Sequence, residues 1–143
     1  MKFVCDASGD RSWFRIETEA EAIREAELMR HAVDKYFRSE WHKAVQSYRP
    51  VSKIVIEQDI GLNAHIQGEM PLFLTLRDGE GKGLVTAMLP PGGVERPGSG
   101  VRPIIVGPNN ADPYTAHADA IEKLAGHFGL ALDRDRCFPY RRG

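Results

Sequence analysis

Thr18-Glu19-Ala20-Glu21 opens the stretch that decides the fold: from Thr18 to Tyr48 the chain carries neither glycine nor proline, and Arg49-Pro50 ends the run. A Thr followed three residues later by Glu is a capping box. Thr18 accepts from the third helical N–H while Glu21 reaches back to Thr18. The residue before a proline avoids the α region, so one helix is predicted over residues 19–48. At 100° per residue Ile23, Ala26, Met29, Val33, Tyr36, Phe37, Trp41, Ala44 and Tyr48 share a face, with Glu21, Arg24, Lys35, His42 and Gln46 opposite. Such a helix faces a core.

Its length has consequences. About 30 residues span roughly 45 Å, whereas a compact domain of this size is roughly 37 Å across. The helix must overhang, bend (Ser39 being the weakest former near its middle), or be covered by another subunit. Trp41, Val45 and Tyr48 are the side chains an overhang would expose, and they point to a homodimer or a protein partner.

Before the helix, Phe3, Cys5 and Ala7 alternate with Val4 and Asp6, and Phe14 and Ile16 alternate with Trp13, Arg15 and Glu17. Two strands around Ser8-Gly9-Asp10-Arg11 make a hairpin. After it, Ile54, Ile56, Ile60, Leu62, Ala64, Ile66 and Met70 hold even positions, a period of two that favours strands with a bend at 58–61. A helix starting at Asp59 is the competing reading, weakened by Gly61 and Gly68.

Leu72–Leu76 and Leu84–Leu89 flank an Asp78-Gly79 turn, which gives a second hairpin; both of its runs are apolar on both faces, so it is expected to lie central and covered. Residues 90–103 hold four Pro and four Gly and read as a long mobile loop, followed by a short strand at Ile104–Val106. A last helix, 113–128, starts at Asp112-Pro113 and is closed by Gly129. The order ββα, then three to five strands, then α indicates a single α+β domain over 1–143. Its mostly antiparallel sheet of five to seven strands would pack on the long helix and a shorter C-terminal one. Residues 134–143 form a basic tail.

The 143 residues are 42% hydrophobic and 27% charged, with a net charge of −1. These values exclude a disordered chain and a disulfide-stapled miniprotein, and they argue against a protein whose main task is coating nucleic acid. Asp6 and Asp10 interrupt the place a secretory signal would need, and no window has the apolar length of a membrane span. A soluble cytoplasmic protein without a membrane role is expected, with Cys5 and Cys137 as free thiols.

Six groups of residues are candidates for chemistry. Gly107–Asp112 joins a strand to a helix start, where Asn109 and Asn110 could meet a small ligand together with His65 and Arg102. Against this, Asp112 takes the place an anion would want. A polar row, Glu57, Asp59, Asn63, His65, Gln67 and Glu69, reads as a half-exposed strand in which Asp59 or Glu57 with His65 could pair for base or metal chemistry. His31, His42, His117 and His127 lack a metal-ligand spacing and read as solvated, and no cofactor, metal or catalytic set is indicated. Arg30 and Glu40 lie at the edges of the apolar helix face, as snorkelling or interface residues. Arg134, Arg136, Arg141 and Arg142, interleaved with Phe138 and Tyr140, offer a weaker nucleic-acid reading. Arg134, Arg136 and Arg141 could lower the Cys137 pKa and make it reactive.

The leading expectation is a binding or regulatory domain acting through a protein partner or its own dimer. A small-molecule-binding protein or enzyme using loop 107–112 with His65 and Arg102 is second, and nucleic-acid binding through the tail third.

Overall fold

The computed structural model describes residues 1–51, 53–95 and 103–139. Five strands form one antiparallel sheet whose spatial order follows the chain: β1 (Lys2–Asp6), β2 (Ser12–Ile16), β3 (Leu72–Arg77), β4 (Gly83–Leu89) and β5 (Ile104–Val106). Both expected hairpins form, and the 72–89 pair lies inside the sheet with β3 buried at every position. Three helices, α1 (Glu19–Met29), α2 (Val33–Ser47) and α3 (Val55–Glu69), lie between β2 and β3, and α4 (Tyr114–Phe128) follows β5.

The single helix over 19–48 is therefore two. Its start is as read, with both halves of the Thr18–Glu21 capping box present. The break comes at Arg30, in the left-handed region with φ 56° and ψ 54°, and not at Ser39, which sits inside an unbroken α2. A left-handed residue other than glycine costs about 1–2 kcal/mol. The turn lets Met29 and Val33 both bury and carries the His31 side chain onto the sheet, where it meets Thr86. A straight 45 Å rod would have carried the aromatic half past the sheet edge.

Residues 55–69 are also corrected, from strands to a helix that begins four residues before Asp59. The even apolar positions split into two rows four residues apart, which is helical neighbour spacing. Leu62, Ile66 and Met70 turn to the core, while Ile56 and Ile60 stay exposed. Gly61 permits the close approach of Tyr48, whose hydroxyl a Cβ would meet at 2.3 Å.

Helices cover both faces of the sheet, as the two-faced apolar runs of the 72–89 hairpin require. Trp13, Leu74, Leu76, Val85, Ala87 and Ile105 bury against Ala120, Ile121 and Leu124 of α4, and the Trp13 indole Nε1 donates to the Ala120 carbonyl at 2.9 Å. On the opposite face Ile16 and Phe73 bury against Ala22, Val33, Phe37, Ala44 and Ile66 from α1, α2 and α3. Gly129 closes α4 at φ 69°, as expected, with the Leu130 N–H on the Ala125 carbonyl.

The start of the 90–103 segment packs against the end of α4. Pro91 and Gly93 are buried, and Gly93 (φ 70°) sits against the Phe128 ring, where a Cβ would clash; residues 96–102 lie outside the described residues. At the far edge of the sheet the Phe138 N–H donates to the Pro103 carbonyl and the Ile105 N–H to the Phe138 carbonyl, so the end of the described chain lies along β5.

Candidate functional site

Strand alternation places Phe73, Thr75 and Arg77 of β3 and Thr86 and Met88 of β4 on the face beneath α1 and α2. Helix spacing puts Glu25 on the same buried stripe of α1 as Ala22 and Met29. A carboxylate with no exposed surface must therefore meet partners inside the sandwich. Arg77 supplies an ion pair to Glu25 Oε1 through Nη2. Arg77 Nε also donates to Thr75 Oγ1 at 2.9 Å, and its Nη1 to the Gly81 carbonyl at 3.1 Å. Thr86 Oγ1 lies 2.6 Å from Glu25 Oε2 and 2.8 Å from His31 Nε2.

The direction of each hydrogen bond follows from Glu25. As the carboxylate partner of a guanidinium it only accepts, so the Thr86 hydroxyl donates to it and accepts from His31 Nε2–H. That leaves Nδ1 of His31 unprotonated, matching the 3.4 Å approach of the Val33 N–H. His31 is held as the neutral Nε2–H tautomer.

Burial pushes the His31 pKa down, against the opposing pull of the Glu25 carboxylate. An unfolded histidine, titrating near 6.5, then takes a proton more readily than the folded one. This group's contribution to stability is complete above about pH 6.5 and declines as the pH falls below it. His117, lowered by burial and by Arg11, acts in the same direction. Urea midpoints should fall as the pH is lowered from 7 to 5, and His31→Gln should flatten that fall; an unchanged slope would contradict a lowered His31 pKa.

His31 and Thr86 end a cleft of about 300 Å³ on this face. Its walls are Val33 and Tyr36 of α2, Phe73, Met88, Ile104 and Val106 of the sheet, and Phe138 and Pro139 along β5, with Ala32 and Asn110 also lining it. Among the described residues no charged side chain lines it.

Of the small-molecule set read from the sequence, Asn110 belongs to this cleft. Asn109, left-handed at φ 59°, sits exposed in the adjoining turn. His65 does not belong. It lies on α3, with Nε2 2.7 Å from Ser47 Oγ and its ring against Tyr48, and Ser47 is eleven residues along α2 from Tyr36, roughly 16 Å. Arg102 lies outside the described residues. Asp112 accepts from the Tyr114 N–H and pairs with Arg134 at 2.6 Å. Glu57, Asp59, Asn63, Gln67 and Glu69 are exposed on a helix rather than aligned along a strand.

The aromatic end of α2 is not an exposed overhang, because α3 folds back over it. Trp41 and Val45 pack into the core, Trp41 stacks on Phe37, and Tyr48 lies against Gly61 and His65. The exposed apolar surface is on α3 and its approach instead: Val51, Ile54, Val55, Ile56 and Ile60 are each more than half exposed. Arg30 is exposed at the helix break, and Glu40 pairs with Lys43 at 3.2 Å.

In the tail, Arg134 and Arg136 each face a carboxylate, Asp112 and Asp133, whereas Arg141 and Arg142 lie outside the described residues. Cys137 is fully buried, and burial raises its pKa with Asp133 and Asp135 adding to the effect, the reverse of activation by neighbouring arginines. Cys5 and Cys137 are both free thiols. No described helix is long and apolar enough to cross a membrane.

His31, Glu25, Thr86 and Arg77 escaped the sequence reading, which had His31 as a solvated residue. The signal present was the spacing Ala22–Glu25–Met29, a carboxylate on an apolar stripe. Comparison with protein-family models, with curated proteins and with solved structures finds no match to this chain.

Proposed function

We propose that this chain is a binding domain that holds a small, uncharged, largely apolar molecule in the cleft between the α1–α2 break and the β4–β5 edge. One observation carries the reading: an apolar cleft ends on two neutral polar side chains, His31 and Thr86, whose orientations are set from behind by the buried Glu25–Arg77 pair. Ligand sites are concave and mostly apolar, with a few polar groups that fix orientation. A volume of about 300 Å³ suits a ligand of one or two rings. The protons of His31 and Thr86 are engaged inward, which favours holding a ligand over attacking it.

Phenol serves as a probe. It should bind the wild-type chain saturably, and Ala32→Trp should abolish that binding. Ala32 is exposed yet lines the cleft, so the larger side chain blocks the mouth without disturbing the core. Phenol binding that survives Ala32→Trp would remove the cleft from consideration.

A second reading rests on the aliphatic residues of α3. Contiguous exposed apolar surface marks interaction sites, and α3 buries little besides Ile66. A second copy of the chain is its proposed occupant. Sedimentation equilibrium should give a dimer for the wild type and a monomer for the double variant Ile56→Glu, Ile60→Glu. A wild-type monomer would end that reading and leave the cleft untouched.

A further inference from the structure

We infer that the inner end of the cleft selects a hydrogen-bond donor, an uncharged hydroxyl or N–H on an apolar ring-bearing body, and rejects carboxylates. The inference rests on the cleft being a ligand site and specifies the chemical class it takes. The donors of His31 and Thr86 are already committed. Thr86 has one proton, which goes to Glu25 Oε2. The neutral His31 ring has one, which goes to Thr86 Oγ1. Arg77, which does not line the cleft, turns three of its five N–H groups to Thr75, Gly81 and Glu25.

What is left over is acceptor capacity. A hydroxyl oxygen has two lone pairs, and Thr86 Oγ1 uses one for His31. An arriving hydroxyl or N–H completes it, whereas a carboxylate at Thr86 would face a lone pair, and among the described residues no charged side chain lines the cleft to offset its desolvation. Val33, Phe73, Met88 and Val106 give the ligand's body apolar walls. Asn110, on the turn that follows β5 and packs against α1, also lines the cleft and can serve a polar group as either donor or acceptor.

The experiment compares phenol, anisole and benzoate, which share a ring and differ in the polar group, by titration of the full-length chain followed through backbone amide shifts. Phenol should bind roughly three- to tenfold more tightly than anisole, the value of one neutral hydrogen bond, and benzoate should not bind. Thr86→Ser keeps the acceptor and should preserve the preference, while Thr86→Val should erase it. The wild-type comparison stands by itself if Thr86→Val does not fold. Equal binding of phenol and anisole, or tighter binding of benzoate, would overturn the donor rule while leaving the cleft as a ligand site. No saturable binding by any of the three would overturn both.

Discussion

Glu25→Ala should lower the folding free energy by about 3–5 kcal/mol, the cost of breaking a buried ion pair by removing one partner. Glu25 has no exposed surface and Arg77 is 9% exposed, so the guanidinium left behind has little water to turn to. Thr86 loses its acceptor at the same time. Domains hold only about 5–15 kcal/mol in all, so this one change would take a large share of it. Urea denaturation measures the effect. The double variant Glu25→Leu, Arg77→Met should recover most of the loss, because apolar replacement of a whole buried pair is often close to neutral. It should nevertheless weaken the phenol-over-anisole preference, since Thr86 then lacks the Glu25 acceptor that fixes the direction of its proton. A loss below about 1 kcal/mol for Glu25→Ala would mean that water reaches the network and that its directionality does not hold.

Trp13→Ala should cost about 3–5 kcal/mol, the range for truncating a large buried aromatic. Trp13 is fully buried between the sheet and α4, and its indole N–H is the donor for the Ala120 carbonyl. Trp13→Phe keeps the ring packing and drops the hydrogen bond, and should cost about 1–2 kcal/mol. Because Trp13 lies on the face away from the cleft, phenol affinity in the folded fraction of Trp13→Phe should match the wild type. A change in affinity would show that the two faces are coupled through the sheet.

The sequence disclosed much of this architecture because its strongest signals were local. The Thr18–Glu21 box, the Asp78-Gly79 turn and the Gly129 stop each depend on a few neighbouring residues, and each appears where expected. The break at Arg30 was not legible, since no glycine or proline marks it. What stabilises the left-handed turn is tertiary, the burial of Met29 and Val33 and the reach of His31 to Thr86. Residues 54–70 misled because alternate positions on a strand and two rows four apart on a helix select the same even numbers. The cleft was half visible. Asn110 was read as a ligand residue from its place before a helix, whereas Glu25, Thr86 and Arg77 become a site only when β3 and β4 pair Thr75 with Thr86 beneath α1. Glu25 alone carried a sign of this, as an acid on the stripe of Ala22 and Met29.

Amide chemical-shift mapping of phenol binding on the full-length chain tests the cleft most directly. Shifts concentrated at His31–Tyr36, Thr86–Met88, Ile104–Val106 and Asn110 are the expected result. Shifts concentrated on Ile54–Ile60 of the α3 region, or none that saturate, would contradict it.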